Sequence, residues 1–144
     1  MHSGELAEYG FKEWFKIKPR DYDGNKKLVL SLPRKKGVYI IRKSDGTIPR
    51  IKGESDIIYI GQGIIQSRIQ ALLRSHLPLN FRDYMNKHTA REAFERIISE
   101  LNFETEFSYV LIKDSKEAKN LEASLLRKFC REHIEPPPLN NTRE

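Results

Sequence analysis

The strongest constraint on the fold is a change of hydrophobic period at residues 61–63. Two short apolar runs, residues 37–42 (GVYIIR) and 56–60 (DIIYI), have the composition of β-strands, and a loop containing Gly and Pro separates them. After Gly61 and Gly63, apolar residues recur at three- and four-residue steps, which is the helical period. The sequence therefore predicts an antiparallel hairpin with a long loop that leads directly into a helix.

The remaining patterns predict an α+β domain. The other predicted elements are, in chain order, a strand at 27–32, a helix from Thr89 to Leu101, a strand at 105–112 and a helix from Asp114 to about residue 132. Pro136 to Pro138 predict an extended tail. The predicted fold is a small central antiparallel β-sheet of about three strands flanked by helices. Residues 1–24 are predicted to form an N-terminal arm, and residues 25–144 the domain itself.

Charge and composition narrow the class of protein. The 144 residues include 26 Lys and Arg against 20 Asp and Glu, a formal net charge of +6, which suits a polyanionic partner. No apolar run reaches the roughly 18–20 residues of a membrane span, and the charged N-terminus lacks the apolar core of a signal peptide. The single cysteine, Cys130, excludes an internal disulfide and a thiolate-rich zinc cluster within one chain. We therefore expect a cytoplasmic protein without a membrane partner.

The excess positive charge is concentrated at residues 34–52, which form the first hairpin strand and its loop. Seven basic residues and one acidic residue, Asp45, lie there, and their net charge of +6 equals the formal net charge of the whole chain. Such a segment can contact nucleic-acid phosphates or can be a solvated loop, and both interpretations stay open at this stage. If it contacts phosphates, the predicted nucleic-acid-binding residues are Arg42, Lys43, Arg50 and Lys52.

A glutamate on an apolar helix face is the first indication of a site. Glu122 falls inside the apolar stripe of the last predicted helix, between Ala118 and Leu125. A buried carboxylate requires a cation, a hydrogen-bond partner or a raised pKa, whereas a Glu at the edge of the stripe simply reaches water. Both alternatives fit the pattern alone.

The helix after residue 63 has polar residues on its apolar side as well. Extending its period places Arg68 and His76 toward the core, or at its rim, and Arg74 toward solvent. A lone core histidine is commonly satisfied by a backbone carbonyl, so a structural interpretation of His76 stands beside a catalytic one. In the same way, Tyr39 and Tyr59 can be ordinary strand aromatics.

Together these residues resemble the GIY-YIG endonucleases. Gly37-Val38-Tyr39 and Tyr59-Ile60-Gly61 resemble the paired tripeptides of that family, with Val in place of Ile in the first. Downstream, Ser67-Arg68-Ile69 resembles the segment with the family's Arg in the first helix, and His76 resembles the His or Tyr that follows that Arg. Leu121-Glu122 resembles the helix that carries the family's single metal-ligand Glu. Pro137-Pro138-Leu139-Asn140 resembles the terminal element of the family. The resemblance covers residues 37–141.

The resemblance implies a nuclease domain that hydrolyses DNA phosphodiester bonds with Mg²⁺ or Mn²⁺. Glu122 is then the metal ligand, because a lone carboxylate suits Mg²⁺, which keeps several waters and takes a phosphate oxygen as a further ligand. Arg68 is the residue expected to stabilise the transition-state charge, with Arg74 as the alternative. Tyr39 is assigned as general base by resemblance.

Other residues complete the predicted site. Tyr59 is expected to orient the water or the phosphate, and His76 is an alternative acid or base because its reference pKa near 6.5 suits proton transfer. Asn140 is expected to tie the C-terminal segment to the site through amide hydrogen bonds. Gln62 and Gly63 are expected to offer side-chain or backbone donors to the nucleic acid.

The expected partner is DNA, either double-stranded or branched. A compact restriction-type enzyme fits this length, and a homodimer is then expected because one single-metal site cleaves one strand at a time. The competing interpretation is a nucleic-acid-binding module of the same fold that has lost cleavage, and the presence of Glu122 and Arg68 favours the nuclease. An RNA-directed protein ranks below both, because the chain lacks the aromatic signature of common RNA-binding modules.

Overall fold

The computed structural model describes residues 1–141, in which helices cover both faces of an antiparallel β-sheet. In chain order the elements are β1 (Phe15–Ile17), α1 (Tyr22–Ser31), β2 (Lys36–Lys43), β3 (Ile48–Pro49), β4 (Glu54–Ser55), β5 (Ile57–Ile64), α2 (Ile65–Leu72), α3 (Arg91–Ser99), β6 (Thr105–Leu111) and α4 (Ser115–His133). Short 3₁₀ helices lie at Ser3–Tyr9, Arg74–His76, Leu79–Phe81 and Pro138–Asn141. The last three residues of the predicted domain, 142–144, lie outside the described residues.

The main sheet has four strands in the order β1-β6-β2-β5, all antiparallel. The predicted α+β class is confirmed, but the predicted number of about three strands is wrong. The additional strand is β1, which pairs Phe15 with Phe107 and Ile17 with Thr105. A three-residue strand is too short to show a period in the sequence, and β6 supplies the pairing partner that defines it.

The N-terminal segment is built into this sheet. Leu6 and Phe11 are buried in the core, and β1 occupies one edge of the sheet. The predicted boundary between residues 24 and 25 falls inside α1. Residues 1–24 are therefore continuous with the body of the domain in packing and in hydrogen bonding.

The predicted strand at residues 27–32 is wrong, because this segment is the C-terminal half of α1. Asp21 caps the helix by accepting a hydrogen bond from the Gly24 backbone N–H. Burial follows helical spacing, since Asn25 and Val29 are buried whereas Leu30 is 52% exposed. The alternating leucines in the sequence are typical of a strand. The Asp21 cap and the burial of residues four positions apart are those of a helix.

The hydrophobic core is divided between the two faces of the sheet. Along β2, Tyr39 and Ile41 belong to the core that also contains residues of α1, α2 and α3. Val38 and Ile40 belong to the opposite core, which contains residues of α4 and of the N-terminal segment. This alternation is the two-residue period of a strand buried on both faces. The predicted strands at 37–42, 56–60 and 105–112 are confirmed as β2, β5 and β6.

The helices at 89–101 and 114–132 are also confirmed, with differences at their ends. Asp114 caps α4 by accepting a hydrogen bond from the Lys116 backbone N–H. In contrast, α3 begins after Ala90, which has no side chain that can cap it. The tail predicted as extended turns into a 3₁₀ helix at Pro138. No helix within residues 1–141 is both long and apolar enough to cross a membrane.

Candidate active site

Tyr39 and Tyr59 lie side by side on the neighbouring strands β2 and β5, with ring centroids 5.9 Å apart. Gly61 pairs with Tyr39 across the ladder. A Cβ at Gly61 would lie 2.7 Å from Tyr39 Oη and 2.6 Å from Tyr59 Cε2. Any side chain at position 61 would therefore displace both rings. The close packing of the two tyrosines requires a glycine at this position.

The close contact partner of Tyr39 is His88, a residue that the sequence did not indicate. Tyr39 Oη lies 2.6 Å from His88 Nε2, and the histidine is only 6% exposed. His88 belongs to the irregular segment between α2 and α3, and its ring centroid is 5.2 Å from that of Tyr59. The segment has no periodicity that would place His88 against the sheet, so only the packed structure identifies it.

The hydrogen bonds of His88 fix its tautomer. The Ala90 backbone N–H donates to His88 Nδ1 at 3.1 Å, so Nδ1 lacks a proton. In the neutral ring Nε2 then bears the proton and donates it to Tyr39 Oη. The Tyr39 and Tyr59 side chains also interact by a hydrogen bond, and Tyr59 bonds to the Thr89 side chain. The result is a chain of hydrogen bonds that links His88, Tyr39 and Tyr59.

Burial determines the protonation of this chain. It raises the pKa of Tyr39 well above its usual value, and the electrostatic effect of an ionised Tyr59 would raise the pKa of Tyr39 further. Burial also raises the pKa of Tyr59, although the hydrogen bond from Tyr39 and the charge of Arg68 act in the other direction. Burial, followed by the charge of Arg68, lowers the pKa of His88 to about 4. All three side chains are therefore neutral at neutral pH.

This arrangement predicts a pH dependence of stability. The pKa of His88 is near 6.5 in the unfolded chain and about 4 in the folded protein, so between these values the unfolded chain binds more protons. Folding stability should therefore fall as the pH falls from 6.5 to 4, by about 3 kcal/mol from this residue. His88→Gln should flatten that part of the profile, which urea denaturation at several pH values measures. An equally steep profile in the variant would contradict the assignment.

Arg68 brings the positive charge to the cluster. Arg68 lies in the first turns of α2. Gly63, two residues before α2 begins, has a φ of +142°. A Cβ at Gly63 would lie 2.9 Å from Arg68 Cγ, so this glycine leaves room for the arginine stem. One guanidinium N–H donates to the Lys87 carbonyl at 2.9 Å. The charge of Arg68 lowers the pKa of Tyr39, Tyr59 and His88, and its remaining N–H groups can bind an anion.

Glu122 lies on α4, which packs against β2 and β5 on the sheet face opposite to the tyrosine pair, and it is near enough for its charge to act on that pair. Its charge raises the pKa of both Tyr39 and Tyr59. Burial raises the pKa of Glu122 itself, against the smaller effect of Lys119. Within residues 1–141, the half-buried carboxylate has no hydrogen bond and no ion pair. An ionised group in that state lacks compensation inside the protein.

The donor set fits a hard divalent cation that is held together with a substrate. No group of three or more His, Cys, Asp or Glu side chains within the described part of the chain could hold a metal ion. A cation held at Glu122 would therefore lack a cluster of three such protein ligands within the described residues. Mg²⁺ suits such a site, because it retains waters and binds through one or two carboxylates plus phosphate oxygens.

His76 and Arg74 do not follow the predicted helix, since α2 ends at Leu72 and a 3₁₀ turn follows. His76 is buried, and its Nδ1 accepts a hydrogen bond from the Arg20 backbone N–H. Its Nε2 lies 3.0 Å from Oε2 of Glu95. Its partners differ from those of Tyr39, and they are those of a core histidine. Arg74 is half-buried instead of fully solvated, with its guanidinium 5.0 Å from the ring centroid of Tyr84.

Gln62 lies in β5, and Asn140 contacts the same strand from the C-terminal segment. The Asn140 amide accepts from the Ile60 backbone N–H at 2.9 Å and donates to the Ile60 carbonyl at 2.8 Å. This pair of bonds fastens the C-terminal segment to the edge strand, next to Tyr59. Gln62 lies opposite Val38 and is partly exposed.

The basic residues at 34–52 are more internally paired than their sequence indicates. Arg42 lies 2.7 Å from Glu106 and stacks on Trp14, and Arg50 lies 2.8 Å from Glu135. Of the two lysines predicted to bind nucleic acid, Lys43 has its ammonium 4.7 Å from the ring centroid of Phe103, and the Lys52 side chain has no such partner among residues 1–141. Arg42 and Arg50 therefore already have carboxylate partners, and phosphate binding by this segment stays a prediction.

Two solved structures are similar to this chain. Both are point mutants of the GIY-YIG N-terminal endonuclease domain of UvrC from Thermotoga maritima, described as bound to its catalytic divalent cation. One is 21% identical, with a TM-score of 0.47 and coverage of 84% of this chain and 98% of that chain. The other is 21% identical, with a TM-score of 0.44 and coverage of 78% and 97%. At this level of identity and superposition, the likeness assigns no function to individual residues.

No protein-family model matches the sequence, and no curated protein matches it significantly.

Proposed function

We propose that this chain is a divalent-metal-dependent endonuclease that hydrolyses DNA phosphodiester bonds, of the compact restriction type. The observation that supports the proposal best is the convergence of three groups on the tyrosine pair. These are the hydrogen-bonded His88, the cation Arg68 and the unpaired carboxylate of Glu122. Metal-dependent phosphodiester hydrolysis needs a proton acceptor for the water, a positive charge at the phosphate and a metal ligand, and the cluster contains a candidate for each. The metal ion would also stabilise the charge on the leaving 3′-oxygen.

Arg68 is proposed to bind the scissile phosphate. It contributes the positive charge felt by Tyr39, Tyr59 and His88, and one of its N–H groups is fixed on the Lys87 carbonyl. A guanidinium can direct two of its remaining N–H groups at phosphate oxygens. These charge-assisted bonds strengthen as negative charge develops on the phosphate, which is the requirement for lowering the barrier.

Tyr59 is proposed to take the proton of the attacking water, with Tyr39 as a positioning residue. Tyr39 was the base expected from the sequence, but it is only 1% exposed and its pKa is raised further above the usual value. Tyr59 is half-buried, and as a phenolate it would accept hydrogen bonds from Tyr39 and Thr89 beside the Arg68 charge. Because its pKa is nevertheless above 10, the cleavage rate should rise with pH through the neutral range.

Glu122 is proposed to hold Mg²⁺ or Mn²⁺ when DNA is bound. A divalent ion there would act as a Lewis acid on the phosphate and lower the energy of the charged transition state. The single carboxylate predicts weak metal binding by the free protein, because the phosphate oxygens complete the ligand set. DNA as the substrate, a homodimer for cutting both strands and a cytoplasmic location stay predictions.

The proposal is tested by incubating the protein with supercoiled plasmid in Mg²⁺, in Mn²⁺ and in EDTA, over a series of pH values. We expect nicked or linear DNA with a divalent ion only, at a rate that increases with pH because Tyr59 must lose its proton. Protein purified identically but with Glu122→Gln controls for contaminating nucleases. Absence of cutting in both metals, or equal cutting in EDTA, would refute the proposal.

A further inference from the structure

A cleft that we call the outer cleft is lined in part by His88. It has a volume of about 370 Å³, within the range of small-ligand sites. Its lining includes Arg74, Tyr84, Lys87, His88, Arg91 and Glu92. Because His88 lines this cleft and also contacts Tyr39, a molecule bound here would lie beside the proposed catalytic cluster.

The charges of the cleft suit a phosphate together with a hydrogen-bonding group. Arg74, Lys87 and Arg91 supply three cations, and Glu92 supplies one carboxylate. A phosphate is attracted by the cations and repelled by Glu92, so the ligand should place an N–H group and not a phosphate beside that carboxylate. Amino groups on the edges of nucleobases meet this requirement, because carboxylates accept hydrogen bonds from them.

Tyr84 gives the cleft an aromatic surface. Its side chain is 57% exposed, and Arg74 lies 5.0 Å from its ring centroid. The turn that presents it is held by Asp83, whose carboxylate accepts hydrogen bonds from the backbone N–H groups of Met85 and Asn86. An exposed ring on a fixed turn, with Arg74 over one face and further cations in the same cleft, is an arrangement on which a single-stranded base can stack.

We infer that this cleft binds one unpaired nucleotide of the substrate, with its base stacked on Tyr84 and its phosphate on Lys87 and Arg91. The inference rests on the proposed nuclease function and adds a substrate class to it. That class is DNA in which a base next to the scissile phosphate is unpaired or has left the helix. A base within an intact duplex is already stacked on both faces, so it cannot occupy the cleft unless it leaves the helix.

Equilibrium binding in EDTA tests this inference without any cleavage. The probes are two labelled duplexes of equal length, one fully paired and one with a single unpaired 2-aminopurine, whose fluorescence reports stacking. We expect the wild-type protein to bind the second duplex about tenfold more tightly, in line with the contribution of one stacked base. Tyr84→Ala should remove this preference, and Tyr84→Phe should retain it because the ring is preserved.

Met85→Ala is the matched control. Met85 is adjacent to Tyr84 and more exposed, at 90%, but it does not line the cleft. Equal wild-type affinity for the two duplexes, or a preference that survives Tyr84→Ala, would overturn the inference. So would loss of the preference in Met85→Ala, because an apolar wedge and not the cleft would then be responsible.

The nuclease proposal and this inference can fail separately. If the protein cuts both duplexes at the same rate and binds them equally, the cleft inference is wrong and the nuclease proposal stands. If it cuts neither but loses its binding preference in Tyr84→Ala, the nuclease proposal is wrong and the nucleotide-binding cleft stands. Thermal denaturation of each variant confirms that the exposed substitutions leave the fold unchanged.

Discussion

Glu122→Gln is expected to abolish metal-dependent cutting while sparing most DNA binding. The substitution keeps the shape of the side chain but removes the charge, which is the property that a divalent cation requires. Within residues 1–141 no group of three or more His, Cys, Asp or Glu side chains could hold the ion in its place. Single-turnover cleavage on saturated DNA, together with a binding isotherm in EDTA, separates the two effects.

Stability gives a second measurement on the same variant. Burial raises the pKa of Glu122 in the folded protein, so the folded state binds the proton more tightly than the unfolded chain does. The ionised carboxylate therefore opposes folding once the pH rises above the pKa that Glu122 has in the unfolded chain. Removal of this carboxylate should raise the melting temperature at pH 7. Glu117→Gln is the matched control, since Glu117 is an exposed residue of the same helix. Equal cleavage by Glu122→Gln and the wild type would exclude the metal-ligand assignment.

Higher stability combined with lost cutting would distinguish a functional carboxylate from a structural one. A structural Glu is retained because it pairs with something, and its removal lowers stability. Glu132, on the same helix, shows the contrast, since its carboxylate lies 2.8 Å from the Met1 amine and this contact lowers its pKa. Glu122 has no such partner among the described residues, so the proposed function is the reason we give for its position on a partly buried face.

Much of the fold could be predicted because local periods and tertiary burial agree along most of the chain. The strands β2, β5 and β6 and the helix α4 have apolar residues at the spacing that their burial requires. The exception is α1, where alternating leucines predict a strand. There the tertiary environment buries Val29 and exposes Leu30, which no local pattern indicates.

The site could be predicted only where each side chain projects from a regular element. Tyr39, Tyr59, Arg68 and Glu122 lie on strands or helices, so their directions follow from periodicity. His76 does not, because α2 ends before it and the helical extrapolation fails. His88 lies in an irregular segment whose path depends on packing against the sheet, and its role became apparent only from its contact with Tyr39.

The charges at residues 34–52 illustrate the same limit. A count of charges in the sequence records Arg42 and Arg50 as free cations. Their partners, Glu106 and Glu135, are distant in the chain and are brought to them by the β2–β6 ladder and by the end of α4. Net charge in a window is therefore not a measure of the charge available to phosphates.

Arg68→Ala is expected to lower the cleavage rate on bound DNA by about 10²–10³-fold, the effect of removing one preorganised group from a site that stabilises developing charge. Arg68→Lys should recover part of the rate, since it restores the charge but not the two-pronged geometry. The alternative from the sequence, Arg74, contacts Tyr84 in the outer cleft. Its replacement by Ala should weaken DNA binding more than it lowers the rate at saturating enzyme.

The pH profile of Arg68→Ala separates a catalytic role from a merely structural one. Because the charge of Arg68 lowers the pKa of Tyr59, its removal should raise that pKa, and the rise of the cleavage rate with pH should shift to higher pH. Loss of the hydrogen bond to Lys87 alone would reduce the rate at every pH without moving the profile. A larger defect at saturation in Arg74→Ala would transfer the phosphate-binding role to Arg74, and an unshifted profile in Arg68→Ala would remove Tyr59 as the proton acceptor that Arg68 assists.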